Sequence, residues 1–275
     1  MNRRVLLVGA LLVLAGCSAL GGAGQATDRP TLTPAPVPTA SPTPTDRPTL
    51  APGLTSSGIV DLEALVAAHV RAARNTSYVW TVREADSRPY RNGTADHGPT
   101  QRVVYVDESR YLREVSLLAA TVDGRRAYLQ DYARYADGDD EYATWTASLT
   151  GETTYRHVED PAANGRFARL AADPLLEYLA LREATVTRVT VDGQTHYRIT
   201  GTRDTLLRYG TVEDYRATAV VQPDGFVREL DVFFAAYRGS GRTEVSYRFA
   251  YTDIGTATLD RPAWVATAQN ETGER

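Results

Sequence analysis

Four histidines, one cysteine and one dense acidic run are the groups with the greatest chemical reach in this chain of 275 residues. His69, His97, His157 and His196 could ligate zinc or move protons, yet none has a second histidine or a cysteine at a zinc spacing such as H-E-x-x-H. His69 falls at the edge of a helical apolar face, His196 alternates outward beside Tyr197, and His97 sits in a Gly/Pro segment, so structural or solvent roles are expected. No serine occupies a G-x-S-x-G elbow, and no glycine loop has the form of a phosphate cradle. Ser240, between Gly239 and Gly241, reads as a flexible hairpin. Asp137-Gly138-Asp139-Asp140-Glu141 could offer oxygens to Ca²⁺, which takes about six to eight. It lacks the spacing of an EF-hand loop and reads more simply as a solvated acidic hairpin. These patterns predict no catalytic residue, no metal site and no cofactor.

The remaining reactive group is Cys17, the only thiol. Arg3 and Arg4 precede an apolar run from Val5 to Leu14 and the small residues Ala15 and Gly16, the layout of an export signal over residues 1–16. The twelve residues from Val5 to Gly16 fall short of the about 20 that cross a bilayer. Leu14-Ala15-Gly16-Cys17 resembles the lipobox of lipoproteins. That resemblance implies that the cysteine sulfur receives lipid and becomes the first mature residue. Buried methylenes contribute about 0.8 kcal/mol each, so two chains on one sulfur anchor stably where one short chain is marginal. The membrane is thereby an expected partner, and the outer face of the cell membrane the expected location. Arg3-Arg4 leaves both the twin-arginine and the Sec export routes open.

Residues 17–58 read as a lipidated cysteine followed by a disordered Pro/Thr-rich stalk. Eight of the fourteen prolines lie between Pro30 and Pro52, and TDRPTL occurs at 27–32 and again at 45–50. Pro-rich chain extends by about 3.1 Å per residue, enough to hold a domain up to roughly 120 Å from the bilayer. Its threonines suit O-linked sugar or a bare spacer equally. Asn75, Asn92 and Asn270 each open an N-x-Ser/Thr sequon, compatible with glycosylation outside the cell.

The basic residues are all arginine. Removing the signal leaves 28 of them against 34 acids, a formal charge of −6. An acidic, lysine-free surface resembles that of proteins from extreme halophiles, where the Debye length falls to about 3 Å at 1 M salt; a GC-rich genome would also favour arginine. The excess of acid argues against a nucleic-acid partner, which needs a clustered basic face.

The elements that would position any site begin at residue 59. Leu62, Leu65, Val66, His69, Val70 and Ala73 recur at spacings of three and four, which predicts a helix from Ile59 to Asn75. The period then changes to two, as in Tyr78, Trp80 and Val82, or Val245, Tyr247, Phe249 and Tyr251. About ten strand candidates follow between residues 78 and 252, many separated by Asp-Gly dipeptides that suit tight hairpins. Between Pro161 and Glu183 the meander is interrupted. Phe167, Leu170 and Ala171 give a short helix, then Asp173 can cap and Pro174 can start a second helix over 174–182. Leu175, Leu176, Tyr178, Leu179 and Leu181 cover most of its circumference, so it should be buried on several sides.

The predicted class is α+β: a long antiparallel β meander curled into a half-barrel over residues 59–265, covered by an N-terminal helix and a mid-chain helical insertion, with a flexible tail at 266–275. This order of elements resembles the LolA and LppX/LprG class of lipoproteins, in which such a half-barrel closes over an apolar cavity. The lipobox, the Thr/Pro stalk and the closing segment LDRPAWV (259–265) also resemble uncharacterised lipoproteins of haloarchaea. The expected cavity lining is Leu175, Leu176, Tyr178, Leu179, Phe226, Leu230 and Phe234, with Arg228 at the mouth by strand alternation. Sixteen tyrosines against five phenylalanines suit strand packing, or a cavity wall that accepts an amphiphile. The expected function is a non-enzymatic lipoprotein that binds or carries an apolar or amphiphilic ligand. A structural or protein-interaction domain of the cell envelope is the alternative, and a secreted hydrolase with scattered acids is the third.

Overall fold

A computed structural model describes residues 48–90, 93–122, 125–146, 150–159, 166–238 and 241–273. The folded unit is Asp46–Arg275; Met1–Thr45, with Cys17, lies outside the described residues. Order therefore begins before residue 59. β1 (Thr49–Ala51), β2 (Leu54–Thr55) and β3 (Gly58–Ile59) form a small antiparallel sheet that takes in Thr49 and Leu50, the last two residues of the second TDRPTL copy. Ala51 and Leu54 are buried in the core, which ends the stalk some residues earlier than composition suggests. Gly53 makes the turn possible. Its φ is +73°, its carbonyl accepts the Val60 and Asp61 N–H groups, and a Cβ there would sit 1.9 Å from the Asp61 carbonyl oxygen.

α1 (Leu62–Arg74) follows. The Asp61 carboxylate caps it by accepting the Ala64 N–H at 2.9 Å, and Leu65, Val66, His69 and Ala73 point inward at the predicted spacing. The large sheet is then built from β4 (Tyr78–Tyr90), β5 (Gly93–Asp107), β6 (Arg110–Val122), β7 (Arg125–Asp137), β8 (Asp140–Thr146) and β9 (Thr153–Glu159). It continues after the helices with β10 (Glu183–Val191), β11 (Gln194–Thr202), β12 (Thr205–Leu206), β13 (Gly210–Val221), β14 (Val227–Arg238) and β15 (Gly241–Thr252). β4 to β7 run further than Pro89, Gly98 and Pro99 suggest, because each ladder continues on a paired neighbour.

All pairings are antiparallel, in the order β10-β11-β13-β14-β15-β4-β5-β6-β7-β8-β9, with β12 on β13. The sheet is open, since its edges β10 and β9 do not pair with each other. Strands spaced at about 4.8 Å would make a flat sheet roughly 50 Å wide. One core cluster runs from Ile199 and Ala219 through the helices to Tyr111 and Ala136, so a single core follows one face of the open sheet. The class is α+β.

The insertion consists of α2 (Arg166–Leu170) and α3 (Ala172–Tyr178). α3 starts one residue before Asp173, without a side-chain cap, and stops at Tyr178 instead of reaching 182. Its terminal carbonyls find partners around β11 to β13: Arg203, just after β11, donates to Glu177 O, and the Tyr215 hydroxyl of β13 donates to Tyr178 O at 2.6 Å.

The expected tail is instead mostly helix. α4 (Trp264–Thr272) lays Val265 and Ala268 against Val104, Leu112, Tyr135 and Tyr142, on the side of the sheet away from α1 to α3. It ends at Gly273 with φ +87°. No helix among the described residues is long and apolar enough to cross a membrane.

Candidate functional site

The concave side of the sheet has two unlike halves. Across β13, β14, β15 and β4 it is filled. Leu175, Leu230 and Phe234 are 0 % exposed, and Leu179 and Phe226 are 1 %. A void large enough for water would leave accessible surface on the side chains that line it, so none of that size borders Leu175, Leu230 or Phe234; Phe226 reaches a groove of about 420 Å³ beside α1. Tyr178 is buried with them, its ring 6.4 Å from Phe234 and 5.0 Å from Tyr247. The residues expected to line a cavity are thus brought together, but as packed core.

Two of them leave the group. Leu176 is 41 % exposed, because α3 is only two turns long and presents one face to the sheet. Leu176→Trp should therefore leave stability within about 0.5 kcal/mol of wild type, measured by chemical denaturation, as for other exposed positions. Arg228 is displaced by a β-bulge. The register passes from Val220 opposite Glu229 to Val221 opposite Val227, so Val227 takes the inward place that strict alternation assigns to Arg228. Arg228 instead pairs with exposed Asp192 at 2.7 Å.

Across β5 to β8 the same side of the sheet is mixed: Val103, Tyr105, Tyr111 and Ala136 are buried in the core, and polar side chains stand beside them. Arg113 and Arg134 are direct cross-strand partners on β6 and β7, on the face that carries Tyr111 and Ala136. Arg113 donates Nε and Nη2 to Gln101 Oε1 at 2.9 and 2.7 Å. Arg134 meets Glu141 Oε1 at 3.2 Å, and both guanidiniums lie over the Tyr132 ring, 5.8 and 5.6 Å from its centre. α2 covers one end, where Phe167 packs on Tyr111 with ring centres 4.6 Å apart. That contact carries Arg166 to within 3.9 Å of Glu141 Oε2, to which the Tyr111 hydroxyl also donates.

Glu141 is 3 % exposed, whereas the side chains of Arg134 and Arg166 keep 27 % and 33 %. The electrostatics match this placement. Burial lowers the pKa of Arg113, opposed by Tyr132 and reinforced by the charges on Arg134 and Arg166. Burial also raises the Tyr111 phenol, and the Glu141 carboxylate raises it further.

The acidic run 137–141 therefore does not act as one solvated hairpin. Asp137 and Asp139 are exposed, Asp140 meets His157 at 2.8 Å, and Glu141 turns inward. His196, expected to face outward, is 1 % exposed with Nδ1 facing Gln194 O at 3.1 Å. His69 is fully buried in the core, and His97 falls in a strand segment whose side chains are outside the described residues. Asn75 and Asn270 are exposed, at the end of α1 and in α4; Asn92 lies outside the described residues. Arg113 and Arg134 are the site residues that the sequence reading passes over. Their signal is parity, since each stands between apolar or aromatic residues on the inward set: Tyr111 and Val115, Tyr132 and Ala136.

The far face carries a polar groove of about 660 Å³ lined in part by Thr81, Arg83, Arg102, Glu114 and Arg248. Two of its arginines are ion-paired within the sheet, Arg102 to Glu114 at 3.1 Å and Arg248 to Asp231 at 3.2 Å, and Arg83 stands directly opposite Arg248.

Residues 3–268 match the model of a family of unknown function (DUF7537). No curated protein matches the chain. Among solved structures, LprF from Mycobacterium bovis overlaps 73 % of this chain and 96 % of its own at 10 % identity, with a TM-score of 0.34. A LolA superfamily protein from Nitrosomonas europaea overlaps 72 % and 94 % at 10 % identity, with a TM-score of 0.23. Likeness at these TM-scores carries no argument about the role of this chain.

Proposed function

Given that the chain belongs to a family of unknown function (DUF7537), we propose its role from its own residues: a non-enzymatic, lipid-anchored protein on the outer face of the cell membrane that binds an amphiphilic ligand on the concave side of its sheet. The observation that carries this is the division of that face. One half is sealed by α1 and α3, while the half over β5 to β8 holds long polar side chains that are only partly covered. A protein needing only a scaffold could fill both halves with apolar packing, and a packed apolar core costs less than partly buried guanidiniums. The tight packing under α3 favours the second reading, a structural or interaction domain of the envelope. Native mass spectrometry of the full chain purified from its own host separates the two: a co-purifying amphiphile supports the binding role, and a bare chain supports the scaffold.

The anchor is supported by the complete lipobox ending at Cys17. Cys17→Ser removes the only acceptor sulfur and leaves the apolar run intact. The variant should leave the membrane fraction. Retention there in the same amount as wild type would mean that residues 5–16 hold the protein without lipid, and the anchor would be wrong.

A further inference from the structure

We propose that the half of the concave face over β5 to β8 is an oxyanion site, in which Arg113, Arg134 and Arg166 hold a phosphate-like group, free or as the head group of an anionic lipid. The proposal rests on the binding role above and names the chemistry of the ligand.

Three observations support it. First, Arg113 and Arg134 face each other directly across two strands, and like charges so placed destabilise a sheet. Such a pair persists in a fold when something of opposite charge repays its cost. Second, the charges do not balance: among the described residues, Glu141 is the one carboxylate in ion-pair contact with any of the three guanidiniums. That carboxylate is already shared with the Tyr111 hydroxyl. Third, donors are left over. Among the described residues, Arg134 Nε is buried without a hydrogen-bond partner, and the Arg113 side chain hydrogen-bonds Gln101 alone. A guanidinium carries five N–H donors in a planar fork that fits a phosphate or carboxylate two bonds at a time. Tyr132 holds the forks of Arg113 and Arg134 from one side, which lowers the ordering cost of a bidentate grip. On the far face Arg83 and Arg248 are also direct cross-strand partners, but there Arg248 has its own carboxylate, Asp231, at 3.2 Å, and no tyrosine ring spans the two guanidiniums among the described residues.

The test is isothermal titration calorimetry on the full chain, with four probes: inorganic phosphate, monomeric dihexanoyl phosphatidylglycerol, monomeric dihexanoyl phosphatidylcholine and sodium chloride at matched ionic strength. Arg113→Gln and Arg134→Gln should each weaken binding of the anionic probe by about tenfold or more, Arg134→Lys by less, and Arg102→Gln on the far face should not change it. Arg113→Gln should be at least as stable as wild type without ligand, because the cross-strand repulsion is gone, whereas Arg134→Gln also takes a partner from buried Glu141 and is read through binding alone. A purely structural role for Arg113 would instead cost Arg113→Gln stability.

Binding of phosphate alone supports the site with a free anion as ligand. Binding of phosphatidylglycerol but not phosphate, with the same arginine dependence, supports it with a lipid head group. If only phosphatidylcholine binds, or if anion binding ignores Arg113 and Arg134, the oxyanion site is wrong while the binding role stands. If no probe binds, both fall.

Discussion

Phe234→Ala should lower the stability of this protein by about 3–5 kcal/mol, read as a shift of the urea midpoint at constant slope. Phe234 is 0 % exposed on β14, with ring centres 4.8 Å from Tyr209 and 6.0 Å from Tyr215. Truncating it loses the transfer energy of the ring and leaves a hole that these neighbours, Tyr215 on β13 and Tyr209 in the turn before it, can close only in part. A cavity already open to an apolar guest would respond differently. The removed ring would merely enlarge existing space, and the loss would approach the transfer term of about 2 kcal/mol. A measured loss that small, together with uptake of an apolar probe, would restore the carrier cavity under α3 and move the binding site away from β5 to β8.

Acid should unfold the wild type through His69 in particular. His69 is fully buried on α1; its Nδ1 accepts the Val227 N–H at 3.1 Å, and its Nε2 lies 3.3 Å from the Tyr251 hydroxyl. Burial holds its pKa down to about 3, against an ordinary value of 6.5. Between these two pH values the unfolded chain binds the extra proton and the native chain does not, so stability falls as pH falls. The slope is about 1.4 kcal/mol per pH unit, or about 3 kcal/mol between pH 7 and pH 4. Above pH 6.5 this contribution is constant. His69→Asn keeps an oxygen near the Nδ1 position to accept the Val227 N–H and cannot titrate, so its stability should fall about 3 kcal/mol less over the same range. Urea titrations of both proteins at pH 7, 5 and 4 check it; parallel pH profiles would falsify the assignment.

Much of the frame was legible in the chain because its causes are local. Asp61 at the cap and Leu65, Val66 and His69 at helical spacing specify α1 within a turn of itself. Asp192 and Gly193, with φ of 50° and 76°, form the two-residue turn between β10 and β11 that their side chains favour. Period-two alternation likewise identifies which residues of β14 and β15 face the core, as Phe234 and Val245 do.

The candidate site was not legible, although its residues were in plain view. Alternation assigns Arg113 and Arg134 to the inward set, but it does not say that β6 pairs with β7 in the register that sets one directly opposite the other. Glu141 ends an acidic run whose other members stay near solvent. It is buried because α2, some twenty-five residues later, brings Phe167 and Arg166 over it.

By itself, then, the sequence determined the lipobox at Cys17 as a motif, the α+β class, the first helix and the tight turns, since each depends on neighbours a few positions away. The tertiary structure alone decided that Leu176 faces solvent, that a bulge moves Val227 into the place expected for Arg228, that residues 264–272 dock as a helix, and that Arg134 and Arg166 meet one buried carboxylate with Arg113 directly across from Arg134. Periodicity states which residues share a face. What covers that face, and with what charge, is set by segments distant in the chain, whose packing and electrostatic energies exist only once the sheet has brought them together.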